Sequence, residues 1–304
     1  MANIEKYIEE NKNLINDFIK THFKKRACNK KFPHNKFSLN DAILYTLATP
    51  GKRIRPIVLL ITAESLGFPN KKRLLPFASS IELIHSYSLI HDDLPAMDND
   101  NLRRGKPTNH IVFGEASAIL AGDALLAEAF VILSDKEYTE GFDPKKIIEI
   151  IQELSYASGI NGLAGGQFLD VNSFGMPIDF ENIEYINKNK TASLIGAACA
   201  MGAILAGGDG GIVDNFKKFG LYLGLAFQTI DDILGITGNK GILGKTAGID
   251  KANNKCTVAS SIGLEKTYEL INEYNEKALR YLSRTGVIPD TLTEFTCYLT
   301  NRIN

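Results

Sequence analysis

Cysteine is scarce in this 304-residue chain, and an excess of positive charge is missing. The four cysteines, Cys28, Cys199, Cys256 and Cys297, have no paired spacing. This argues against a disulfide framework or a zinc site and favours reduced thiols used for packing. The formal net charge of -1 excludes the generally basic surface that holds nucleic acid. We therefore expect no nucleic-acid partner, and any anion must be recognised by local clusters.

A continuous apolar core is missing from residues 1–20, where Glu, Lys and Asn interrupt the hydrophobic residues. No signal peptide or membrane span is visible in that stretch. We expect a cytoplasmic protein without stable membrane insertion. Its hydrophobic content of 44 % is enough to bury a large core.

Strand-like alternation is also scarce, whereas apolar residues recur at helical spacing along almost the whole chain. This pattern predicts an all-α fold. The breaks between helices are short, so none is typical of an interdomain linker, and we predict a single domain over residues 1–304. The predicted breaks are residues 20–37, 67–70, 139–144, 172–177 and 207–211. The first contains seven Lys or Arg residues and indicates a solvated loop, with contact to an acidic partner as the alternative.

Two pairs of adjacent aspartates, Asp92-Asp93 and Asp231-Asp232, each end a long apolar segment of helical character. Clustered carboxylates beside apolar surface are unfavourable unless a positive group neutralises them, and oxygen ligands suit hard ions such as magnesium. Pro95 cannot continue the first helix, so the chain should turn there and bring Asp98 back beside Asp92. The pattern predicts a divalent metal held between two helices.

Helical spacing places other polar residues beside these aspartates. His85, Ser88 and Asp92 share one face of a helix predicted over residues 81–93. Gln228 lies one turn before the second pair, within a helix predicted over residues 214–236. Exposed carboxylates at a helix carboxyl end are the alternative, but the helix dipole disfavours them there.

Four basic stretches suit anionic oxygen, and a ligand whose phosphates are bridged by magnesium would satisfy both charge signs. They are residues 51–56, 103–107, 190–191 and 244–246. The last is not a phosphate-binding P-loop, because Gly238 and Gly244 are one residue too far apart and no strand precedes them. The polar stretch 237–257 is instead predicted to be a mobile flap whose Lys245 reaches an anion on closing.

A further polar pair stands in a glycine-rich stretch. Gly165 and Gly166 precede Gln167, and Asp170 follows one helical turn later. Two glycines permit close approach of another helix. A packing role and a role in ligand contact are equally compatible with this pair.

In length and order these motifs resemble those of bacterial short-chain trans-prenyl diphosphate synthases of the farnesyl diphosphate synthase type. The run from Ile84 to Asp98 is similar to that family's first aspartate-rich motif, in the form with two extra residues. The resemblance covers most of the chain. Further agreement lies in residues 51–56, 103–108, 120–125, 165–170, 190–191, 227–228 and 244–245.

The resemblance implies an all-α helical bundle of the isoprenoid synthase type around a deep central cavity, usually as a homodimer. It implies a prenyltransferase that condenses isopentenyl diphosphate with dimethylallyl or geranyl diphosphate. Farnesyl diphosphate is the implied product, formed by Mg2+-assisted ionisation, condensation and elimination, with several Mg2+ ions in each active site. Geranyl and geranylgeranyl diphosphate stay open as alternative products.

Site roles are also implied by the resemblance. The implied metal ligands are Asp92, Asp98 and Asp231, with Asp93 and Asp232 in support. The implied site for isopentenyl diphosphate is Lys52, Arg55, His85 and Arg104, and that for the allylic diphosphate is Arg103, Lys190 and Lys245. The resemblance places Thr191 and Gln228 near the developing cation. The implied catalytic group consists of these two residues together with Lys190, Asp92 and Asp231. Product length would be limited by Tyr87 and Ser88, although helical geometry places Tyr87 about 140° around the axis from Asp92.

One position departs from the family's pattern, because Gly235 stands where the second motif usually has a third aspartate. It lies one helical turn beyond Asp231, so a supporting carboxylate is missing. We expect weaker magnesium binding with retained activity. Gly235→Asp should then lower the magnesium concentration needed for half-maximal rate.

Two other classes stay open. One is a helical phosphohydrolase with a histidine and aspartate metal site, although this does not explain the basic stretches. Its candidate ligands are His85, His91, Asp92, His110 and Asp231. The other is a catalytically weak subunit of a heteromeric prenyl synthase, which the complete first motif argues against.

Overall fold

The computed structural model describes residues 2–26, 36–237, 257–287 and 290–300, and nearly all regular structure in these ranges is helical. The all-α prediction is confirmed. The helices are α1 (Ala2–Arg26), α2 (Leu39–Leu47), α3 (Ile54–Ser65), α4 (Leu75–Asp92), α5 (Asn109–Phe113), α6 (Glu115–Ser134), α7 (Lys136–Thr139), α8 (Pro144–Ser158), α9 (Leu163–Asn172), α10 (Phe180–Asn187), α11 (Ser193–Leu205), α12 (Gly210–Thr237), α13 (Val258–Ile262), α14 (Leu264–Ser283) and α15 (Asp290–Thr300). A 3-10 turn (Lys71–Leu74) precedes α4, and a π-helical turn (Lys188–Ala192) joins α10 to α11.

Helices α3 and α11 form the centre of the bundle. The runs from Pro56 to Ala63 and from Leu194 to Leu205 are buried throughout, as expected for helices that are apolar on all sides. A side chain at Gly202 would come within 2.6 Å of the backbone oxygen of Leu59, so glycine permits this close packing. Helix α4 packs on α3 and α6, and α12 packs on α11 and α14. The helices that carry the two aspartate pairs are thus linked through the central pair, and the deep cavity stays a prediction.

Four of the five predicted breaks coincide with helix ends, but the break at 20–37 is partly wrong. Helix α1 continues to Arg26, because Ile15, Ile19 and Phe23 extend one buried stripe along it. Basic residues occupy its last turn, where they interact favourably with the helix dipole. Residues 27–35 of the predicted loop lie outside the described residues.

A short hairpin lies beyond the first aspartate motif, formed by β1 (Leu102–Arg103) and β2 (Lys106–Pro107). Its two-residue loop is Arg104-Gly105, with positive φ angles of 52° and 77°. Two-residue hairpin loops favour this backbone combination, which glycine adopts without steric strain. The hairpin places two predicted site arginines at its tip.

Helices α6 and α12 are long and apolar enough to cross a membrane, judged by length and composition alone. Core helices of a folded bundle meet the same criterion, and 56 % of the apolar window in α12 is buried. The expectation of no membrane insertion stays a prediction.

Candidate active site

The first aspartate motif lies at the carboxyl end of α4. The helix ends at Asp92, and the amide of Asp98 donates a hydrogen bond to the carbonyl oxygen of Asp92 at 2.9 Å. The predicted return of Asp98 to Asp92 is confirmed. Oδ1 of Asp98 is buried and has no hydrogen-bond partner within the described ranges. An oxygen in this state is available to a ligand.

The Asp93 carboxylate binds Arg103 of the hairpin. Nε of Arg103 donates to the two carboxylate oxygens at 2.8 and 2.9 Å, and Nη2 donates to one of them as well. Burial by itself would lower the pKa of Arg103, but Asp93 outweighs burial and the pKa is raised. This ion pair between Arg103 and Asp93 fixes the hairpin to the end of α4. Metal support by Asp93 and diphosphate binding by Arg103 stay predictions.

Three side chains that can each carry a positive charge are crowded together: Arg55, Arg104 and His85. Burial lowers the pKa of Arg55, and Arg104 adds repulsion, while Glu82 and Asp231 oppose both effects. The pKa of His85 lies well below its usual range because of burial and because Arg55 and Arg104 repel a further positive charge. Nε of Arg55 is buried without a hydrogen-bond partner in the described part of the chain. A bound anion would satisfy this donor and reduce the repulsion.

A buried ion pair supports this group. Nη1 of Arg53 lies 2.8 Å from Oε1 of Glu82, and both side chains are 4 % exposed. Arg53 also donates from Nε to Oδ1 of Asn16 at 2.9 Å and from Nη2 to the carbonyl oxygen of Leu47 at 2.6 Å. One guanidinium therefore joins α1, the end of α2 and α4, and fixes the start of α3.

Gly51 fits between two arginines of this region. A side chain there would come within 2.4 Å of Nη1 of Arg104 and within 2.7 Å of Nη1 of Arg53. Arg104 Nη1 also donates to the carbonyl oxygen of Pro50 at 2.7 Å. The residue before the predicted Lys52 must therefore be small for Arg104 to keep its position.

Lys190 and Thr191 lie in the π-helical turn between α10 and α11. Such turns carry one residue more than a regular α-turn and often occur at functional sites. A side chain at Gly166 would come within 2.3 Å of the amide nitrogen of Lys190, and one at Gly224 within 2.6 Å of Cα of Ala192. The predicted close approach at Gly166 is confirmed. Helices α9 and α12 hold the turn between them.

Two polar contacts connect this turn to its neighbours. Nζ of Lys190 donates to Oδ2 of the buried Asp170 at 2.6 Å. Oγ1 of Thr191 donates to Oε1 of Gln228 at 2.9 Å, and Nε2 of Gln228 donates to Oδ1 of Asp232 at 2.9 Å. The turn, α9 and the second aspartate pair thus form one polar cluster.

Tyr87 and Ser88 are both buried, as residues that limit a pocket should be. Burial and the nearby Asp92 raise the pKa of Tyr87 to about 12. Its ring meets that of His91 edge to face, with centroids 5.8 Å apart. Ser88 Oγ donates to the carbonyl oxygen of His85 at 2.9 Å, so its polarity is satisfied within α4. Their role in product length stays a prediction.

Lys52 is exposed at the edge of the arginine group, beside Gly51.

The two remaining predictions concern the second half of the chain. Gly235 is exposed in the last part of α12, as a position facing solvent or ligand would be. Lys245, with most of the predicted flap 237–257, lies outside the described residues.

Two histidines of the phosphohydrolase alternative, His91 and His110, have contacts with their neighbours in the fold. Nε2 of His91 lies 3.1 Å from the carbonyl oxygen of Ile119 and occupies the space beside Gly122. Nδ1 of His110 lies 3.1 Å from Oγ1 of Thr108. Among the described residues, no three His, Cys, Asp or Glu side chains lie together in a way that could hold a metal.

The donor set nevertheless suits magnesium bound together with phosphate oxygens. Asp92, Asp98 and Asp231 offer carboxylate oxygens, which magnesium prefers, and the buried Oδ1 of Asp98 has its bonding capacity unused in the described ranges. Magnesium usually takes only one or two protein carboxylates and completes its shell with water and phosphate. Substrate oxygens would therefore have to complete each site.

Sequence reasoning placed Arg53 in a basic stretch suited to anionic oxygen, missed its partner Glu82 and left Gln167 undecided. A signal for Glu82 was present, since it is a charged residue in an apolar helix one turn before His85. Gln167 is buried, and both polar atoms of its amide lack partners within the described part of the chain. Buried amides are normally satisfied, so Gln167 is a candidate for ligand contact.

An all-helical bundle with aspartate pairs on two helices, and with arginines and a lysine beside them, has the architecture of the isoprenoid diphosphate synthases. The comparison with family models agrees. The chain belongs to the polyprenyl synthetase family, whose model matches residues 36–283. The predicted resemblance is therefore confirmed at the level of the family.

Individual relatives are named for different products. The chain is 43 % identical over 249 residues to farnesyl diphosphate synthase of Geobacillus stearothermophilus, covering 82 % of this chain and 83 % of that protein. It is 42 % identical over 243 residues to the heterodimeric geranylgeranyl pyrophosphate synthase large subunit 1 of Arabidopsis thaliana chloroplasts, covering 79 % of this chain and 65 % of that subunit. A geranyltransferase of Helicobacter pylori, solved with magnesium and isoprenyl diphosphate, superposes with a TM-score of 0.81 at 32 % identity and covers 100 % of this chain and 98 % of its own.

Proposed function

We propose that the protein is a prenyltransferase that joins isopentenyl diphosphate to dimethylallyl or geranyl diphosphate and releases farnesyl diphosphate. The observation that carries this proposal is the grouping of Arg55, Arg104 and His85 beside carboxylates suited to magnesium. Such a site has a place for two diphosphates, one bound by protein side chains without metal and one shared with metal. Family membership and the relatives' names support the same reaction class.

The diphosphate of isopentenyl diphosphate binds to Arg55, Arg104 and Lys52. Guanidinium groups that repel one another gain most from an anion, because charge-assisted hydrogen bonds replace the repulsion. His85 stays neutral, so it donates an N–H to a phosphate oxygen without adding charge. Glu82 neutralises Arg53, which leaves Arg53 to fix the loop.

The allylic diphosphate binds on the side of the aspartates. Asp92, Asp98 and Asp231 would hold magnesium, which when bound stabilises the negative charge on the departing diphosphate. Lys190 and Arg103 bind that diphosphate from the protein side. No step requires a proton from the protein, because metal and fixed cations stabilise the leaving group.

Carbon–carbon bond formation follows cleavage of the allylic carbon–oxygen bond. Thr191 and Gln228 lie beside the allylic carbon while it is positively charged, and apolar walls keep water away from it. The double bond of isopentenyl diphosphate supplies the electron pair of the new bond, and a proton then leaves to the released diphosphate. No covalent protein intermediate is needed.

Product length is the finer part of the proposal. The buried ring of Tyr87 stands five residues before Asp92 and is proposed to stop the growing chain at farnesyl. The relatives named above include both farnesyl and geranylgeranyl synthases, so geranylgeranyl diphosphate is the second candidate product.

The test is incubation of the purified protein with isopentenyl diphosphate, dimethylallyl diphosphate and magnesium, followed by chromatographic sizing of the products. Farnesyl diphosphate as the main product is expected, and a longer main product would shift the proposal to the second candidate. Release of phosphate or diphosphate without chain growth would refute prenyl transfer. A chelator control should abolish the reaction.

A homodimer in the cytoplasm is part of the same proposal. Helix α6 is strongly apolar, yet only 39 % of its apolar window is buried, and Ile119 and Leu120 are 43 % and 58 % exposed. A second copy of the chain placed on this face would remove these side chains from water. Cell fractionation checks the location.

Light scattering after gel filtration tests the assembly. Leu120→Asp should convert a dimer into a monomer, whereas the same change at Leu279, an exposed apolar residue of α14, should not. A monomeric wild type would refute this part of the proposal.

A further inference from the structure

We infer that Asp232 is a positioning residue that fixes the direction of the hydrogen bonds beside the allylic carbon, so that Thr191 faces that carbon with lone pairs only. The inference rests on the proposed function. It is carried by the hydrogen-bond chain from Thr191 through Gln228 to Asp232.

The first step concerns the amide of Gln228. A carboxylate only accepts hydrogen bonds, so the neighbour that contacts Oδ1 of Asp232 at 2.9 Å must be the amide nitrogen. The amide oxygen is then the group that contacts Thr191. This orientation follows from the chemistry of the carboxylate and does not depend on distinguishing nitrogen from oxygen by their positions.

The second step concerns the carboxylate itself. Its other oxygen, Oδ2, accepts from the backbone amide of Val258 at 3.4 Å, at the start of α13. The two oxygens of Asp232 thus face donors from two different elements. An asparagine in this place would offer only one acceptor for both donors, and its orientation would no longer be unique.

The third step concerns Thr191. Its hydroxyl has one hydrogen, and this hydrogen is used in the bond to Oε1 of Gln228 at 2.9 Å. Thr191 is 7 % exposed in the turn that Gly166 and Gly224 hold, so it has little freedom to turn elsewhere. Oγ1 of Thr191 can therefore offer a ligand only its lone pairs, as a hydrogen-bond acceptor.

This polarity separates the roles of two consecutive residues. Lys190 carries the charge that suits a diphosphate oxygen. Thr191, as an acceptor, favours a group that bears positive charge and disfavours an anion. The class of group recognised beside Thr191 is thus a cationic carbon, or an ammonium group of the same shape.

A matched pair of probes measures this preference. The allylic cation shares its charge between the carbon that loses diphosphate and the tertiary carbon two bonds away. Dimethylaminoethyl diphosphate carries an ammonium group at that tertiary position, where isopentyl diphosphate carries an uncharged carbon, and the two otherwise have the same shape. Calorimetric titration of each, with magnesium present, gives a ratio of dissociation constants. Wild type should prefer the ammonium probe by about tenfold, the scale of one charge-assisted hydrogen bond.

Asp232→Asn and Gln228→Leu should each bring this ratio close to unity, and so should Thr191→Val. Thr191→Ser should keep the preference, because it keeps the hydroxyl. In the double variant of Asp232→Asn and Thr191→Val, the ratio should not fall below that of Thr191→Val alone. Asp231→Asn is the control, since loss of a metal ligand should weaken both probes alike and leave their ratio unchanged.

Steady-state kinetics gives a second readout. Asp232→Asn should lower kcat for condensation by about tenfold, while KM for isopentenyl diphosphate changes by less than about twofold. An unchanged probe ratio in Asp232→Asn, or additive effects in the double variant, would overturn the inference. A wild type that binds neither probe and forms no prenyl product would instead refute the proposed function.

Discussion

Arg103 and Asp93 form a two-pronged ion pair, in which the guanidinium Nε lies 2.8 and 2.9 Å from the two carboxylate oxygens. The side chains are 15 % and 4 % exposed, so the pair is shielded from water. It connects the hairpin that carries Arg104 to the helix end that carries Asp92. This contact therefore links the two proposed diphosphate sites.

Arg103→Ala should destabilise the fold by about 3 kcal/mol, because it takes the Arg103 guanidinium away from the buried Asp93 carboxylate. Chemical denaturation measures this change. Lys218→Ala is the control, since its ion pair with Asp214 is exposed and its loss should leave the unfolding midpoint unchanged. Equal effects of the two substitutions would show that the shielded pair has no special role in stability.

Gly51→Ala should raise KM for isopentenyl diphosphate by about tenfold or more, because the new methyl group would displace the Arg104 guanidinium from its position. Steady-state kinetics with the allylic substrate saturating measures this. Gly210→Ala is the control, since a side chain there meets no atom within 4 Å. A KM within twofold of wild type for Gly51→Ala would mean that Arg104 does not set affinity for this substrate.

Gln167→Met should make the protein more stable and less active. The buried amide has no partner within the described residues, so an apolar side chain of similar size removes a penalty of about 1–3 kcal/mol. Activity should fall because the amide is then unable to bind substrate. Thermal unfolding and turnover should be measured together, with the exposed Gln152→Met as control. Lower stability of Gln167→Met would contradict the idea that its amide is unsatisfied without ligand.

Tyr87→Ala should lengthen the main product, because removing a buried ring deepens the space next to α4. Tyr87→Phe should give the wild-type product, since it keeps the ring and loses only the hydroxyl. Chromatographic sizing of the products checks both. An unchanged product from Tyr87→Ala would place the limit on chain growth at another residue.

Cys199 should resist alkylation in the folded protein. Burial raises the pKa of its thiol to about 12, and the thiolate is the reactive form, so only a minute fraction is reactive at pH 8. The exposed Cys297 should react under the same conditions. Peptide mapping after iodoacetamide treatment, with and without denaturant, measures both, and native labelling of Cys199 would show that α11 opens readily.

Local patterns predicted the parts of the site that are determined within a few residues. Pro95 acts within one turn, so the end of α4 and the return of Asp98 followed from the sequence. The period of 3.6 residues likewise placed His85 and Asp92 on one face. These features need no knowledge of the rest of the fold.

Other features depend on which helices become neighbours. The pair Arg53–Glu82 and the contact between Lys190 and Asp170 join segments far apart in the chain, and many other pairings had equal support in the sequence. The π-helical turn was not predicted either, because the glycines that hold it, Gly166 and Gly224, belong to other helices. Tertiary packing, rather than local preference, determines these parts of the site.

The extra residue in the turn Lys188–Ala192 makes this region sensitive to chain length. An α-helix advances about 100° per residue, and the turn already holds its one extra residue, so inserting another residue beside Asn189 would rotate everything on one side of the turn by about that angle. Lys190 and Thr191 would then no longer reach Asp170 and Gln228 together. Side-chain substitutions in this turn should therefore be tolerated far more often than a single-residue insertion, which changes the register of a whole helix.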